Sequence, residues 1–125
     1  MSQLKNDFYT VKETASLPEN SVKGLIELNA EHIIYKGHFP QMPVVPGVMQ
    51  IQIIKELLEE ALDKKLQMLN GNNIKFMGMI IPTQNTLINF ELNYTTQNGN
   101  VLCEGRLFCD SSVFTKFKGE YKILK

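Results

Sequence analysis

The sequence is poor in the features that mark several large classes of protein. It has two cysteines, Cys103 and Cys109, too few for the disulfide framework of a small secreted domain. They lie six residues apart in what reads as one strand, so both point to one face but stand too far apart to bond. They read as small buried or half-buried side chains and suit a reducing compartment. Arg106 is the single arginine and the formal net charge is zero, so nucleic-acid binding has no electrostatic support. The opening MSQLKNDFYT lacks the apolar core of a secretory signal. No stretch approaches the roughly 20 apolar residues that span a bilayer. The cytoplasm is therefore the expected location, with no membrane partner. No His, Cys and Asp cluster has ligand spacing, and no glycine loop would cradle phosphate, so neither metal nor cofactor is expected. There is no internal repeat.

What is present suits one ordinary domain over residues 1–125, with 43% hydrophobic and 21% charged residues. Residues 7–13 are a weak strand candidate, and Leu17–Asn20 reads as a turn. Val22, Gly24, Ile26 and Leu28 alternate as a strand should. Residues 30–37 look irregular. Pro40, Pro43 and Pro46 then forbid helix and central strand. A helix should start at Pro46 or Gly47, where a proline N–H is not missed. It should run through VMQIQIIKELLEEALDKKL, buried at its start and emerging at its end, with Lys64 and Lys65 suiting its C-terminal dipole. Residues 70–73 should end it. Strand alternation follows in residues 74–80, 86–94, 101–109 and 113–123, with Asn98-Gly99 as a hairpin signal and 110–112 as the next turn. One apolar helix among antiparallel strands is packed most economically by wrapping the sheet around it.

The segment from Tyr35 to Met49 carries the chemistry. His38 lies in a loop stiffened by proline, so holding it still costs little entropy. Gly47 opens the helix, its N–H has no intrahelical partner, and no side chain blocks a ligand oxygen from reaching it. The helix dipole adds attraction for developing negative charge. A base beside an oxyanion donor is the minimum kit for removing a proton next to a carbonyl. Spacing alone leaves a second reading open, in which His38 is only a loop histidine and Gly47 only a helix-start glycine.

The run GHFPQMPVVPGVM, residues 37–49, resembles the signature of the 3-hydroxyacyl-acyl-carrier-protein dehydratases, hot-dog enzymes of fatty acid synthesis, whose pattern is close to GHFPGxPxxPGV. Residues 73–82 resemble the strand that follows in that family, and 22–36 the strand and loop leading to the histidine. The resemblance covers about residues 6–125, the last strands matching in pattern only. It implies an α+β hot-dog fold, an antiparallel sheet wrapped around one long central helix. It implies that His38 takes the C2 proton of a 3-hydroxyacyl thioester and that the Gly47 N–H polarises its carbonyl. It implies an acyl tunnel along the helix, with Phe39, Pro40, Pro46, Val48, Met49, Phe76 and Met77 lining the site. It also implies a dimer with sites built from both protomers, and an acyl group delivered on phosphopantetheine, from acyl carrier protein or coenzyme A. Higher oligomers and a heterodimer stay open. Lys36 and Lys75 are candidates for docking an acidic carrier.

Two positions depart from that pattern. The family carries Glu or Asp fourteen positions after the histidine; here stands Gln52, which cannot give up a proton. One turn on, where the family has Gln, stands Glu56, on the same helix face about 6 Å deeper. Glu56 is thus a candidate acid acting through a shifted pose or a water, or a solvated helix carboxylate. Alternatively the chain supplies a His half-site to a different subunit, or it hydrolyses or only binds acyl thioesters. Gln41, where the family has Gly, narrows the approach to the site. His32 has no motif around it and reads as a loop or surface residue.

Overall fold

The computed structural model describes residues 3–37 and 43–124, with the backbone alone at Lys36 and Gly37. Six strands form one antiparallel sheet in the order β1-β2-β4-β5-β6-β3. β1 (Tyr9–Leu17) and β2 (Ser21–Leu28) form a hairpin. A four-residue helix, α1 (Ile34–Gly37), follows, and then the long helix α2 (Gly47–Leu62). β3 (Lys65–Phe76) occupies the far edge of the sheet, and β4 (Leu87–Gln97), β5 (Asn100–Cys109) and β6 (Ser112–Leu124) form a meander. The sheet curls around α2, the hot-dog arrangement.

The helix is placed by its apolar residues. Ile53, Ile54, Leu57 and Leu58 are buried, and the sheet meets them with Ile26, Ile88, Phe90, Leu92, Val101, Leu107, Phe117 and Tyr121. These sheet residues recur at every second position, as one face of a strand requires. Burying such side chains contributes about 1.5–3 kcal/mol each, so α2 has no competitive position outside the curl.

Turn chemistry sets the strand boundaries. Asn98 and Gly99 both have positive φ, 54° and 80°, as a two-residue hairpin turn demands. Glu19 and Asn20 close the β1–β2 hairpin with φ of 67° and 60°. In β6 a register shift leaves Phe114 without a partner, and both Phe114 and Thr115 are buried as a result.

Several sequence expectations need correction. The helix ends at Leu62, well before residues 70–73. Asp63 adopts the left-handed conformation and its N–H returns to the Glu59 carbonyl, closing the last turn. Lys64 and Lys65 therefore lie beyond the helix and do not serve its dipole. The segment that continues, Lys65–Phe76, pairs with β6 along its whole length, with two register shifts. That pairing wins over helix propensity, because Leu66 reaches the core only from a strand. The third strand accordingly stops at Phe76 and does not extend to residue 80. β1 runs to Leu17, beyond the expected limit at residue 13, and residues 34–37 form a helical turn where none was expected.

Burial pushes the Cys103 thiol from 9.0 up to about 12, with Glu104 adding a little. Burial also raises the Tyr35 hydroxyl from 10.0 to about 12, and lifts the Tyr121 and Tyr9 hydroxyls still further. All four are acids whose folded pKa is raised, so their effect is absent at neutral pH. Above about pH 9 the unfolded chain releases protons that the folded chain retains, and stability falls. Urea unfolding at about pH 10.5 should show a loss of roughly 2 kcal/mol from Cys103 alone relative to pH 7.5. A midpoint that is flat between those values would contradict this burial.

Candidate functional site at the head of the buried helix

The segment entering α2 is held from two sides. The Val45 N–H donates to the Ile80 carbonyl at 2.8 Å, and Val45 itself is buried. The Val45 carbonyl accepts the Gln50 side-chain amide at 3.1 Å. The other end of that amide, Oε1, accepts the Thr115 hydroxyl from β6. Gln50 and Thr115 are almost fully buried, so this pair satisfies polar groups that would otherwise be costly. The sequence offered no sign of Gln50, because a lone polar residue in an apolar run has no pattern.

Pro46 caps α2 with φ −60° and ψ 146° and offers no side-chain acceptor. Its carbonyl takes the Met49 and Gln50 N–H groups at 3.0 and 3.2 Å. The Gly47 and Val48 N–H groups are thus the first amides of the helix, at its positive end. Phe76, at the end of β3, packs its ring over Gly47. A Cβ on Gly47 would lie 2.7 Å from the ring tip, so glycine is what admits this contact. Met77 and Gly78 continue beside it, both donating their N–H groups to the Phe114 carbonyl, at 2.7 and 3.3 Å.

The expected site residues are thereby partly assembled. Gly47, Pro46 and Phe76 are together at the helix head. Val48 is 61% exposed, Met77 lies on the open side, and Met49 turns inward to the core. His38, Phe39, Pro40 and Gln41 lie outside the described residues. Of the candidate docking lysines, the Lys36 side chain is also outside them. Lys75 pairs with Lys116 across β3 and β6 on the outer face of the sheet. That face carries a shallow cavity of about 280 Å³, also lined by Lys118 and Arg106.

Gln52 and Glu56 lie one turn apart. The Gln52 Nε2 donates to Glu56 Oε2 at 2.8 Å. Glu56 is only 6% exposed, so the solvated-carboxylate reading does not hold. Oε2 also accepts the Leu4 N–H at 2.7 Å, while Oε1 accepts the Lys5 N–H at 2.9 Å and the Tyr9 hydroxyl at 3.0 Å. Burial first, and the Glu56 charge second, lift the Tyr9 hydroxyl far above its usual range, so it stays a donor. His32 is in a loop but mostly covered. Its Nε2 meets Asp7 at 3.1 Å and its Nδ1 accepts the Ile34 N–H at 3.1 Å, bracing the start of α1.

The chain is similar to known proteins in sequence and in fold. Residues 13–110 match the family model of the ApeI-like dehydratases. The chain is 32% identical over 92 residues to the 3-hydroxyacyl-[acyl-carrier-protein] dehydratase FabZ of Syntrophomonas wolfei, covering 68% of this chain and 62% of that protein. It is 23% identical to the bifunctional enzyme LpxC/FabZ of Bacteroides thetaiotaomicron, covering 94% of this chain but only 27% of that protein. This chain thus spans less than two thirds of either relative. Among solved structures, the dehydratase heterocomplex ApeI:P from Xenorhabdus doucetiae superposes with a TM-score of 0.73 at 18% identity, over 92% of this chain and 96% of that one. A hypothetical thioesterase with coenzyme A from Streptococcus pneumoniae superposes at 0.59 with 10% identity, over 93% and 85%. Both share the fold.

The contact between Gly47 and Phe76 is testable by a double-mutant cycle. Gly47→Ala should cost about 1 kcal/mol in the native chain, through crowding of the ring. In a Phe76→Ala background it should be neutral or slightly stabilising, because alanine is the better helix former. Equal effects in both backgrounds, measured by urea unfolding, would show that the ring does not lean on Gly47.

Proposed function

This chain belongs to the ApeI-like dehydratase family, and from that premise we propose that it removes water from 3-hydroxyacyl thioesters in fatty acid or related polyene synthesis. The observation that carries the reading is the uncapped head of α2, where the Gly47 amide opens the helix nine residues after His38 in the sequence. His38 takes the C2 proton. Negative charge then develops on the thioester oxygen, and the Gly47 N–H with the helix dipole stabilises it. As the enolate collapses, the C3–O bond breaks and the hydroxyl leaves as water with a proton from an acid. The product is a 2-enoyl thioester. The acyl chain runs beside α2 past Met49, Phe76 and Met77, and the thioester arrives on a phosphopantetheine arm.

The acid is the open part of the site. Gln52 stands where the family has its carboxylate and has no proton to give. In this reading a second hot-dog chain supplies it. β3 is an edge strand, and Leu69, Phe76, Met77 and Met79 on or just beyond it are exposed apolar side chains. Such an edge suits pairing with another chain. A second copy would bring another Gln52, so a different subunit with its own carboxylate fits the chemistry better. The similarity to a dehydratase described as a heterocomplex supports this choice.

The chain should be incubated with a 3-hydroxyacyl thioester, alone and with candidate hot-dog partners. The reading expects 2-enoyl thioester absorbance with the right partner, and its complete loss in His38→Ala. Gln52→Glu should raise dehydration by the chain alone by about a hundredfold or more, the usual contribution of a general acid. Release of free thiol in place of enoyl product would mark a hydrolase and overturn the reading.

A further inference from the structure

The carboxylate of Glu56 is the most heavily engaged side-chain group described in the chain. Four donors converge on its two oxygens: two backbone amides, a phenol and the Gln52 amide, all between 2.7 and 3.0 Å. An acceptor-only group matches that set, with two donors on each oxygen. Two consequences follow. Leu4 and Lys5 belong to the N-terminal arm and Tyr9 opens β1, so Glu56 straps the arm and the start of β1 onto α2. The salt bridge from Lys5 to Glu60, 3.0 Å, lies along the same strap. At its far end the arm packs Phe8 against His32 and Tyr35, which precede His38 in the sequence.

The second consequence concerns Gln52. An amide can approach a carboxylate only by its N–H end, so the Glu56 contact decides which way the amide faces. Val48, Gln52 and Glu56 follow one another at four-residue spacing, on one line from the exposed helix head to the buried strap. Nε2 is turned back along this line toward Glu56. Oε1, with two lone pairs, is engaged by no other side chain among the described residues.

We propose that Glu56 is a positioning residue, whose carboxylate fixes the Gln52 amide so that its carbonyl oxygen accepts a hydrogen bond from the 3-hydroxyl of the bound acyl thioester. The identity of the ligand rests on the dehydratase reading; the fixed amide does not. Gln52 then reads the hydroxyl as a donor, orienting the leaving group while its proton comes from elsewhere. Glu56 touches no reacting atom. The clamp makes a hydroxyl-bearing chain preferable to a saturated one, because only the former supplies the missing donor.

The test has two arms. In the first, the side-chain amide resonances of Gln52, assigned by their loss in Gln52→Met, are followed by NMR in the intact chain. The clamp predicts protons displaced from the free-glutamine position, with solvent exchange slowed at least about tenfold. Free-glutamine behaviour in the native chain would overturn the proposal whether or not the chain is a dehydratase. In the second, affinities for matched 3-hydroxyacyl and saturated acyl thioesters are compared in a His38→Ala background, so that nothing is turned over. The clamp predicts a preference of about fivefold for the hydroxyl, the scale of one net hydrogen bond. Glu56→Gln should erode that preference by letting the amide turn, and Gln52→Met should abolish it. If Glu56→Gln does not fold, Gln52→Met alone decides. An unchanged preference in Gln52→Met would overturn the proposal. Absence of binding by either thioester, with the partner subunit present, would count against the dehydratase reading, leaving the amide arm to decide the clamp.

Discussion

The structure depends on the burial of α2 inside a curled sheet. Ile53, Ile54, Leu57 and Leu58 leave the helix no solvent-facing alternative, and the strands around it can satisfy their own inner faces only by closing on it. The head of this helix, at Gly47, has no side-chain cap, and the proposed site is arranged around it. Gln50 and Thr115 fix the approach of the chain, Ile80 pins Val45, and Phe76 leans on the glycine. The first amides of α2 are therefore held in place before any ligand arrives, which is what electrostatic stabilisation of a transition state requires.

A second constraint acts from the other side of the helix. Glu56 would be costly to bury without partners, and four donors offset that cost. The exchange of Gln and Glu relative to the resemblance thus has a physical meaning in this chain. At position 56 the carboxylate holds the N-terminal arm, a task that needs acceptors only. At position 52 an amide can bond to it where a second carboxylate would repel it.

Much of this was legible in the sequence, for reasons that can be named. The start of α2 was readable because three prolines and a glycine leave few backbone choices. The β4–β5 hairpin was readable because Asn-Gly accepts positive φ. The end of α2 was not, because Lys64 to Gln67 suits a helix locally and only the distant β6 strand makes it β. Glu56 sits in a charged run that reads as a wet face, and its burial comes from residues about fifty positions earlier in the chain. Long-range closure of this kind has no local signature. The histidine itself, the strongest signal in the sequence, lies outside the described residues, so its place rests on the motif.

The proposed chemistry turns on one placement: the thioester carbonyl against the Gly47 amide. A crystal structure of the His38→Ala chain, together with its partner subunit and a bound 3-hydroxyacyl thioester, tests it most directly. The carbonyl oxygen should lie about 3 Å from the Gly47 nitrogen, with C2 facing position 38 and the acyl chain beside α2. A carbonyl bound elsewhere, with the Gly47 amide left to water, would contradict it.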